Sequence, residues 1–565
     1  MIKYILKSLL SFALILIVGF FLWISIFKLQ VSNAYEENQL ASFIDQKSET
    51  LVAQRGNIYD RNGVLLAYNE AGYKVIFDNT SLSLEKSLEV VSKVSEIAKI
   101  DKNDLLESFR SKVLKGDKEI KFRDTLLVPS IERDQVLKIA SRKDELQGIK
   151  VTTFFKRKYV YPYVLSHVVG YTFESLPDIE VGKFGVEKSY DQILSGTNGY
   201  ISTTGQIIPP VNGEDIYLTI DISLQQKLYD SINEKMKRES LGSGGAVISN
   251  IKNGEVLAMV SVPGFDTNMF SSFLSKKDYE KLLSDPNLPL INKVISLPQP
   301  TGSTFKPFVG LALLDSGTID KSYSVVSEGC MDLSQKGETF CEAGKKSFGK
   351  IDFNEAIARS SNIFFCKAML KMGIDKLNTY ADTLNLNTKS DLDLKEEVKS
   401  TIASKELKKR IENSAWFDGD TCNTAIGQGL NKISLIQLMN LTSNIANGGS
   451  TYTPHLVIRS TKDFQYKPNI YISTNISKTA YEQVRSAMRD SVIYGTSKKL
   501  SKLSTEFGGK TGSAQQSGSA KATSFSIGFW PYTDPSYSFA IFLEEGSFGS
   551  SSLDPIVETL STIKL

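Results

Sequence analysis

The chain has 565 residues, of which 41% are hydrophobic and 23% are charged, and its formal net charge is +3. This length allows two or three domains with sizeable cores, and the small net charge gives no reason to expect a nucleic-acid partner. His167 and His455 are the only histidines, so neither a Ser-His-Asp triad nor a histidine-rich metal site is expected. Serine chemistry would need another base, and lysine is the obvious candidate.

The amino terminus predicts a membrane anchor. Residues 8–27 form an uncharged run that is long enough to cross a bilayer as one helix. Two lysines precede this run, so the positive-inside bias places residues 1–7 in the cytoplasm and exports the rest of the chain. The competing interpretation is a cleaved signal peptide ending near Ser32-Asn33-Ala34, although the apolar run is long for one. Residues 28–54 are polar with moderate helical character, and we interpret them as a stalk.

A hairpin is predicted to open the first folded domain, because Asn62-Gly63 lies between two apolar stretches. An amphipathic helix should follow a cap near Ser83, with one face formed by Leu84, Leu88, Val91, Ser95 and Ala98. A second helix is expected over residues 131–146. A boundary near residues 209–213 then limits this domain to residues 55–213, in which no arrangement of residues demands chemistry.

Residues 214–565 are predicted to form a second domain with an α+β fold. The pattern favours one antiparallel sheet, because strand-like runs lie at both ends of the domain and helical runs lie between them. The expected strands cover residues 246–250, 255–260, 523–529 and 537–543.

Four cysteines in an exported chain raise the question of disulfides. Cys330 and Cys341 flank a polar loop, which they could close or beside which they could stay reduced. Cys366 is interpreted as a small buried hydrophobic residue of a helix, and Cys422 has no evident partner. No pair has the spacing of zinc ligands, and we expect neither a metal nor a cofactor.

The stretch Thr301-Gly302-Ser303-Thr304-Phe305-Lys306-Pro307 pairs a hydroxyl with an amine three residues later. If a helix begins at Ser303, the two side chains lie on one face and can meet. A lysine whose pKa is lowered by burial can take the serine proton, and the free N–H groups of the first turn can stabilise an oxyanion. An isolated S-x-x-K is more often a helix N-cap serine followed by an exposed lysine, so the other motifs of the chain have to support the catalytic interpretation.

Two further motifs follow: Ser360-Ser361-Asn362 opens a helical run, and Lys510-Thr511-Gly512-Ser513 stands just before the closing strands. In a serine–lysine acyltransferase, the first motif would relay a proton through its serine and hold Lys306 through its amide. The second would keep Lys306 neutral by repulsion, attract an anionic substrate end and complete an oxyanion hole. Taken singly, each motif could also be a helix cap or a strand end.

In this order, the three motifs resemble those of the penicillin-binding proteins and serine β-lactamases. Residues 55–63, 185–196 and 254–263 resemble class B, monofunctional transpeptidases, so the likeness covers nearly the whole chain. It implies a transmembrane helix, an elongated pedestal domain of the dimerisation type and a transpeptidase domain with an antiparallel sheet flanked by helices. It also implies catalytic roles for Ser303, Lys306, Ser360, Asn362 and Lys510, and substrate binding by Thr511, Gly512 and Ser513.

The resemblance implies a peptidoglycan D,D-transpeptidase, with which a D,D-carboxypeptidase side activity is compatible. Residues 416–421 and Ile426-Gly427-Gln428-Gly429 look like the elongation branch of the family, penicillin-binding protein 2, although the loop at 330–350 lacks its usual Gly-His-Gly. A division-specific class B enzyme is the alternative. A β-lactamase and a β-lactam sensor or scaffold are more remote ones.

Partners and location follow from the same resemblance. The expected ligands are peptidoglycan stem peptides on their lipid-linked precursor, and β-lactams. A polytopic glycosyltransferase and a rod-shape scaffold protein are expected as partners. The expected location is the bacterial cytoplasmic (inner) membrane, crossed once with the amino terminus inside and the bulk of the chain in the periplasm.

Overall fold

The computed structural model describes residues 47–115, 118–120, 125–176, 179–202, 205–271, 274–333, 338–515, 521–546 and 549–563. The predicted cytoplasmic tail and transmembrane span (residues 1–27) lie outside these ranges, as do residues 28–46 of the predicted stalk. Among the described residues, no helix combines the length and the apolar character that crossing a bilayer requires. Helical character is wrong for the end of the predicted stalk, because Lys47–Leu51 is a strand.

The described residues fall into two compact units. The first consists of the described parts of Met1–Gln54 and Gly196–Gly213. It contains a three-stranded sheet whose strands, in spatial order, are Lys47–Leu51, Gly199–Ser202 and Ile207–Ile208. The second unit consists of Arg55–Ser195 and Glu214–Leu565, and it holds the elements described below.

The hairpin predicted at Asn62-Gly63 is confirmed. Ile58–Tyr59 pairs antiparallel with Leu65–Phe77. The turn forms because Asp60 Oδ1 accepts hydrogen bonds of 2.8 Å from the two N–H groups on either side of Gly63, and Gly63 takes the left-handed φ of 83° that a side chain would oppose.

The helix predicted after Ser83 is also confirmed, as Leu84–Ala98 with the Ser83 side chain as its N-cap. Its buried face is centred on Val91 and Val94, whereas Leu88 of the predicted stripe is only half-buried. The face is rotated because the helix packs against two other helices, Lys102–Val113 and Arg133–Ser141, and not on a single surface.

The second predicted helix, over residues 131–146, is shorter than expected and covers Arg133–Ser141, because the chain before it is a strand. The other strands of this region are Leu114–Lys115, Lys118–Glu119, Thr125–Ile131, Ile149–Tyr159, Tyr171–Leu176 and Ile179–Phe184. Its remaining helices are Gly185–Ser189 and Asp191–Leu194, with a 3-10 turn at Lys143–Glu145.

A six-stranded sheet joins this region to later parts of the chain. Its spatial order is Val457–Ser460, Ile216–Leu218, Ile58–Tyr59, Leu65–Phe77 and Thr125–Ile131, and Ile149–Tyr159 also pairs with Leu65–Phe77.

The predicted antiparallel sheet of the second domain is confirmed, and we call it the central sheet. Its five strands, in spatial order, are Val256–Val262, Gly244–Asn250, Tyr537–Leu543, Thr523–Trp530 and Gly508–Ala514. Strands from the start and the end of the domain therefore pair side by side, as expected from their positions in the sequence.

Helices cover both faces of the central sheet, so nearly all residues of its five strands are buried. Phe539 and Ile541 pack into a cluster with helices Ile222–Glu239 and Leu553–Thr562. Phe542 belongs to the cluster on the opposite face. That second cluster includes the inward faces of helices Lys306–Asp315, Leu435–Ala446 and Lys478–Ile493.

The remaining helices are Lys276–Ser284, Phe353–Arg359, Asn362–Met372, Ile374–Thr383, Lys405–Glu412 and Asp418–Ala425. The remaining strands are Val325–Ser327, Cys330–Asp332, Thr339–Cys341, Gly349–Ile351, Ser450–Tyr452 and Ile470–Ser473. Short 3-10 turns occur at Thr267–Ser271, Gly302–Phe305, Ala343–Lys345, Lys498–Lys502 and Gly549–Ser552.

All four cysteines are paired. Cys330 and Cys341 are bonded across a two-stranded hairpin, so the open question of this pair is answered in favour of the disulfide. The interpretation of Cys366 as an unpaired hydrophobic residue is wrong, and so is the absence of a partner for Cys422. These two residues are bonded to each other across 56 positions of sequence. They lie on two helices that pack together, a proximity that the sequence pattern does not reveal.

Candidate active site

The serine–lysine motif lies where a tight turn enters a buried helix. The helix does not begin at Ser303 as predicted, because Gly302–Phe305 is a 3-10 turn and the α-helix starts at Lys306. The Lys306 N–H donates to the Ser303 carbonyl, which closes the turn. Ser303 is partly exposed, whereas Lys306 is fully buried. The turn thus presents a hydroxyl to the surface above an amine in the interior.

The Lys306 amine contacts the second motif, as the sequence predicts. Its Nζ donates to the Ser360 carbonyl at 2.7 Å, to Ser360 Oγ at 3.3 Å and to Asn362 Oδ1 at 2.9 Å. It also lies 5.7 Å from the centroid of the Phe365 ring. Among the described residues, Ser303 Oγ has no hydrogen bond to this amine. Catalytic hydrogen bonds often shorten only when substrate is bound.

The second motif reaches Lys306 because it forms a corner between two helices. Ser360 follows Phe353–Arg359 with a left-handed φ of 64°. Ser361 then caps Asn362–Met372, its side chain accepting a hydrogen bond from the Phe364 N–H. The left-handed conformation of Ser360 turns the chain, and the carbonyl and hydroxyl oxygens of this residue then face the Lys306 amine.

The third motif precedes the two closing strands, as predicted, and itself forms a further strand. Lys510, Thr511, Gly512 and Ser513 all lie in Gly508–Ala514, at one end of the strand order of the central sheet. We call this strand the edge strand. The Lys510 amine is buried and donates to the Thr511 carbonyl at 2.7 Å.

Glycines allow the edge strand to approach the serine turn closely. A Cβ at Gly512 would lie 2.9 Å from the Ser303 nitrogen and 2.8 Å from the Thr304 nitrogen, distances that leave no room for a side chain. Gly302 has a φ of 56°, and a Cβ on it would lie 2.8 Å from the carbonyl carbon of Ser513. The backbone of Ser303 is therefore adjacent to Gly512 and Ser513, where two N–H groups can serve one oxyanion.

Burial sets the protonation of the two amines. Burial lowers the pKa of Lys306 to about 7, against the attraction of the Glu342 carboxylate, which acts to raise it. Burial also lowers the pKa of Lys510 well below its ordinary value, and the charge of Lys306 lowers it further. In the free protein, burial and not Lys510 therefore accounts for the lowered pKa of Lys306.

Glu342 is a site residue that the sequence analysis missed. Its buried carboxylate accepts hydrogen bonds from the N–H of Asn362 at 2.5 Å and of Ile363 at 3.2 Å. It follows the Cys330–Cys341 hairpin and lies 20 residues before Asn362 in the chain. No short-range pattern marks a contact of this kind, so only the packed fold places this carboxylate near Lys306.

The arrangement suits acyl transfer through a serine ester. It combines a partly exposed hydroxyl, a buried amine with a pKa near neutrality and backbone N–H groups beside the hydroxyl. Within the described ranges, no group of three or more His, Cys, Asp or Glu residues is placed to hold a metal ion.

Two family models match the chain. The model of the penicillin-binding protein transpeptidase domain matches residues 244–562. The model of the penicillin-binding protein dimerisation domain matches residues 50–218.

Curated relatives align over most of the chain. The peptidoglycan D,D-transpeptidase MrdA of Haemophilus influenzae is 28% identical, over 97% of this chain and 90% of the relative. The protein of the same name from Escherichia coli K12 is 27% identical, over 82% of this chain and 75% of the relative.

The fold of this chain is similar to that of a solved structure, over nearly the whole length of the solved chain. The complex between the penicillin-binding protein PBP2 and MreC from Helicobacter pylori matches with a TM-score of 0.78 and 26% identity, covering 91% of this chain and 98% of that one.

Proposed function

This chain belongs to the penicillin-binding protein transpeptidases, as a class B peptidoglycan D,D-transpeptidase of the elongation type, and we propose that Ser303 carries its acyl-enzyme. The observation that carries this assignment is the buried Lys306 amine, whose pKa of about 7 leaves much of it neutral at neutral pH. A neutral amine can accept a proton, which a serine needs to lose before it attacks a carbonyl.

In the proposed acylation step, Lys306 takes the proton of Ser303 Oγ as that oxygen bonds to the carbonyl carbon of the D-Ala-D-Ala bond. The N–H groups of Ser303 and Ser513 would hold the resulting oxyanion, and a site of this kind is worth about 10²–10³ in rate per donor. The Ser360 hydroxyl contacts the Lys306 amine and can pass its proton to the departing D-alanine amine as the C–N bond breaks.

The second half of the reaction uses the same groups in reverse. An amine of a second stem peptide attacks the ester carbonyl and gives up a proton toward Lys306, and Ser303 leaves with a proton from Lys306. Asn362 would orient the Lys306 amine throughout, because its Oδ1 accepts a hydrogen bond from it. Lys510, Thr511, Gly512 and Ser513 would bind the substrate along the edge strand, with Lys510 facing its terminal carboxylate.

Labelling with a fluorescent penicillin tests the nucleophile. Ser303→Ala should abolish covalent labelling, and Lys306→Ala should slow it by about 10²–10⁴ because the general base is lost. The exposed Ser322 supplies a control, and Ser322→Ala should label like the wild type. Labelling that persists in Ser303→Ala, or penicillin mapped to a peptide carrying Ser360, would overturn the assignment. Rapid release of the label would indicate a β-lactamase instead.

We also propose that residues 8–27 anchor the protein in the cytoplasmic membrane, with residues 1–7 inside and the pedestal (residues 55–213) and transpeptidase domain (residues 214–565) in the periplasm. The length of the uncharged run and the preceding lysines support this topology. A periplasm-dependent reporter fused after Ala34 should be active in membrane fractions. Recovery of the mature protein in the soluble periplasmic fraction would contradict the anchor.

Partners are proposed on the same basis. The solved relative from Helicobacter pylori is a complex with MreC, and we propose that this chain binds a rod-shape scaffold through its pedestal and a polytopic glycosyltransferase in the membrane. Crosslinking of the full-length protein in its native membrane, followed by mass spectrometry, tests both. Crosslinks to neither class of protein would contradict this proposal.

A further inference from the structure

We propose that Glu342 is a positioning residue of the active site, which holds the Ser360-Ser361-Asn362 corner in place and directs its negative charge at Lys306. This inference rests on the proposed function, in which Lys306 is the base. It differs from the motif-based assignment because Glu342 belongs to none of the three motifs.

The carboxylate of Glu342 is saturated with donors from two elements. Its Oε1 accepts hydrogen bonds from Ser327 Oγ at 2.9 Å, from Ser361 Oγ at 2.5 Å and from the Ile363 N–H at 3.2 Å. Its Oε2 accepts one from the Asn362 N–H at 2.5 Å. The carboxylate is buried and takes no cation as a direct partner in these bonds. Burying a charge is costly, and these donors offset the cost.

The helix does not need Glu342 for an ordinary cap. Ser361 already caps Asn362–Met372 through its own hydroxyl. The additional carboxylate therefore has a different consequence: it fixes the backbone of Asn362, the residue whose side chain holds Lys306.

The segment around Glu342 reinforces this constraint. The Asn362 Nδ2 donates to the Cys341 carbonyl at 3.0 Å, so the side chain of Asn362 is held from one side by the hairpin and from the other by Lys306. The Glu342 N–H donates to the Gly329 carbonyl at 2.8 Å, and the Cys330–Cys341 disulfide closes the same hairpin. Glu342 thus sits at the end of a covalently closed element and has little freedom to move.

Two titratable groups from different elements face Lys306. Glu342 acts to raise the pKa of Lys306, whereas Lys510, on the edge strand, is a like charge when it is protonated. Asn362 and Phe365, which face the amine from the helix of the second motif, are uncharged. Removing the negative charge of Glu342 should therefore lower the pKa of Lys306 and make the base available at lower pH.

The test compares three variants of the full-length protein by the rate of acylation with a fluorescent penicillin between about pH 5 and about pH 9. In such a profile, the acid limb is the range in which the acylation rate rises with pH, and the plateau is the constant rate above it. Glu342→Gln removes the charge and keeps the shape of the side chain, so the acid limb should move down by about one pH unit while the plateau rate falls. Glu342→Asp keeps the charge but shortens the side chain. Its acid limb should stay within about half a pH unit of the wild type while the plateau falls roughly tenfold.

Glu355→Gln is the matched control. Glu355 also completes a helix cap, that of Phe353–Arg359, but no hydrogen bond of its side chain reaches the second motif in the described residues. It should leave both the acid limb and the plateau of acylation unchanged. A shift in Glu355→Gln equal to that in Glu342→Gln would mean that loosening any nearby cap has the same effect, and would overturn the proposal.

The outcomes separate this inference from the function on which it rests. If the wild type is not acylated, the proposed function fails. If the wild type is acylated but Glu342→Gln keeps the wild-type acid limb, Glu342 is only structural and the inference fails. Should Glu342→Gln not fold by circular dichroism, Glu342→Asp decides. A wild-type plateau in that variant, or an acid limb moved by about one unit or more, contradicts the inference.

Discussion

Lys306 and Lys510 are buried amines whose charges repel, so the protonation of one depends on the other. In the free protein, burial and the charge of Lys306 favour the neutral form of Lys510. A bound substrate carboxylate would reverse this preference, because an adjacent negative charge raises the pKa of an amine. Lys510 would then carry a charge that lowers the pKa of Lys306. We therefore expect Lys510 to play its predicted role, keeping Lys306 neutral, in the substrate complex and not in the free protein.

This coupling predicts different pH profiles for kcat and kcat/KM on a stem pentapeptide. The acid limb of kcat/KM reports Lys306 in the free enzyme, near pH 7, and that of kcat reports the complex. Because activity needs neutral Lys306, kcat and kcat/KM both rise with pH through their acid limbs. The acid limb of kcat should lie at lower pH than that of kcat/KM. Lys510→Gln should raise KM and remove the difference between the limbs.

Steady-state release of D-alanine across the pH range measures both limbs. Lys502→Gln changes an exposed lysine and serves as the control, in which both limbs should stay at their wild-type positions. Identical acid limbs for kcat and kcat/KM in the wild type would show that the two amines do not exchange roles on binding.

At this scale, the sequence predicted the residues that lie in short motifs and missed those that do not. The spacing of Ser303 and Lys306 and the order of the motifs made this pair the candidate nucleophile and base, and the structure places the Lys306 amine against Ser360 and Asn362. Glu342 contacts Asn362 across 20 residues of sequence, so its position depends on how the hairpin folds back. Short-range sequence patterns do not predict such a contact.

At the scale of elements, the helix Asn362–Met372 is held at two points, its first residue and Cys366 one turn later. Glu342 holds its amino terminus, and the Cys366–Cys422 disulfide ties it to the helix Asp418–Ala425. The disulfide also belongs to a small apolar cluster with Leu333. The helix that presents Asn362 to Lys306 is therefore fixed by a covalent bond to a distant part of the chain.

The two disulfides should contribute unequally to stability. Bonds that close longer loops remove more entropy from the unfolded chain, so Cys366–Cys422 should be worth roughly 4 kcal/mol and Cys330–Cys341 roughly 3 kcal/mol. The double variant Cys366→Ala/Cys422→Ala should therefore unfold at a lower temperature than Cys330→Ala/Cys341→Ala. Differential scanning fluorimetry measures both, and mass spectrometry of non-reduced peptides verifies the pairing. The reverse order of unfolding temperatures would contradict this account.

Elements with local signals were predicted best. The hairpin at Asn62-Gly63 and the helix after Ser83 have turn and cap residues that act within a few positions, and both are present. The start of the α-helix at Ser303 was wrong, because a 3-10 turn that packs against Gly512 of the edge strand comes before the α-helix. Tertiary contact overrides local preference at the site itself.

At the scale of the whole molecule, a buried charge cluster ties together segments far apart in sequence. The Glu187 carboxylate contacts Arg55 Nε at 2.6 Å and Arg157 Nε at 2.6 Å, and all three side chains are buried. Arg55 and Glu187 lie in two of the segments that carry the resemblance to class B enzymes. Sequence likeness could indicate these segments, but only the fold shows that they meet in one ion cluster.

Removing the charge of Glu187 should destabilise the protein more than removing an exposed charge. Burial acts to raise the pKa of Glu187, but Arg157 and Arg55 outweigh it and the pKa is lowered. Its ionised form therefore stabilises the fold above the pKa of an unfolded glutamate, and this contribution is lost as the pH falls through the lower pKa of the folded state. Glu187→Gln leaves two guanidinium groups without their shared partner, which should cost about 3–5 kcal/mol at neutral pH.

Thermal unfolding at neutral and acidic pH measures this effect, with Glu145→Gln as the control. Glu145 forms an exposed ion pair with Arg142, so its loss should change the unfolding temperature little. The difference between Glu187→Gln and the wild type should shrink as the pH falls, because the wild-type carboxylate then takes a proton and loses the same charge. A difference that stays constant with pH would assign the loss to packing and not to charge, since packing around Glu187 does not titrate.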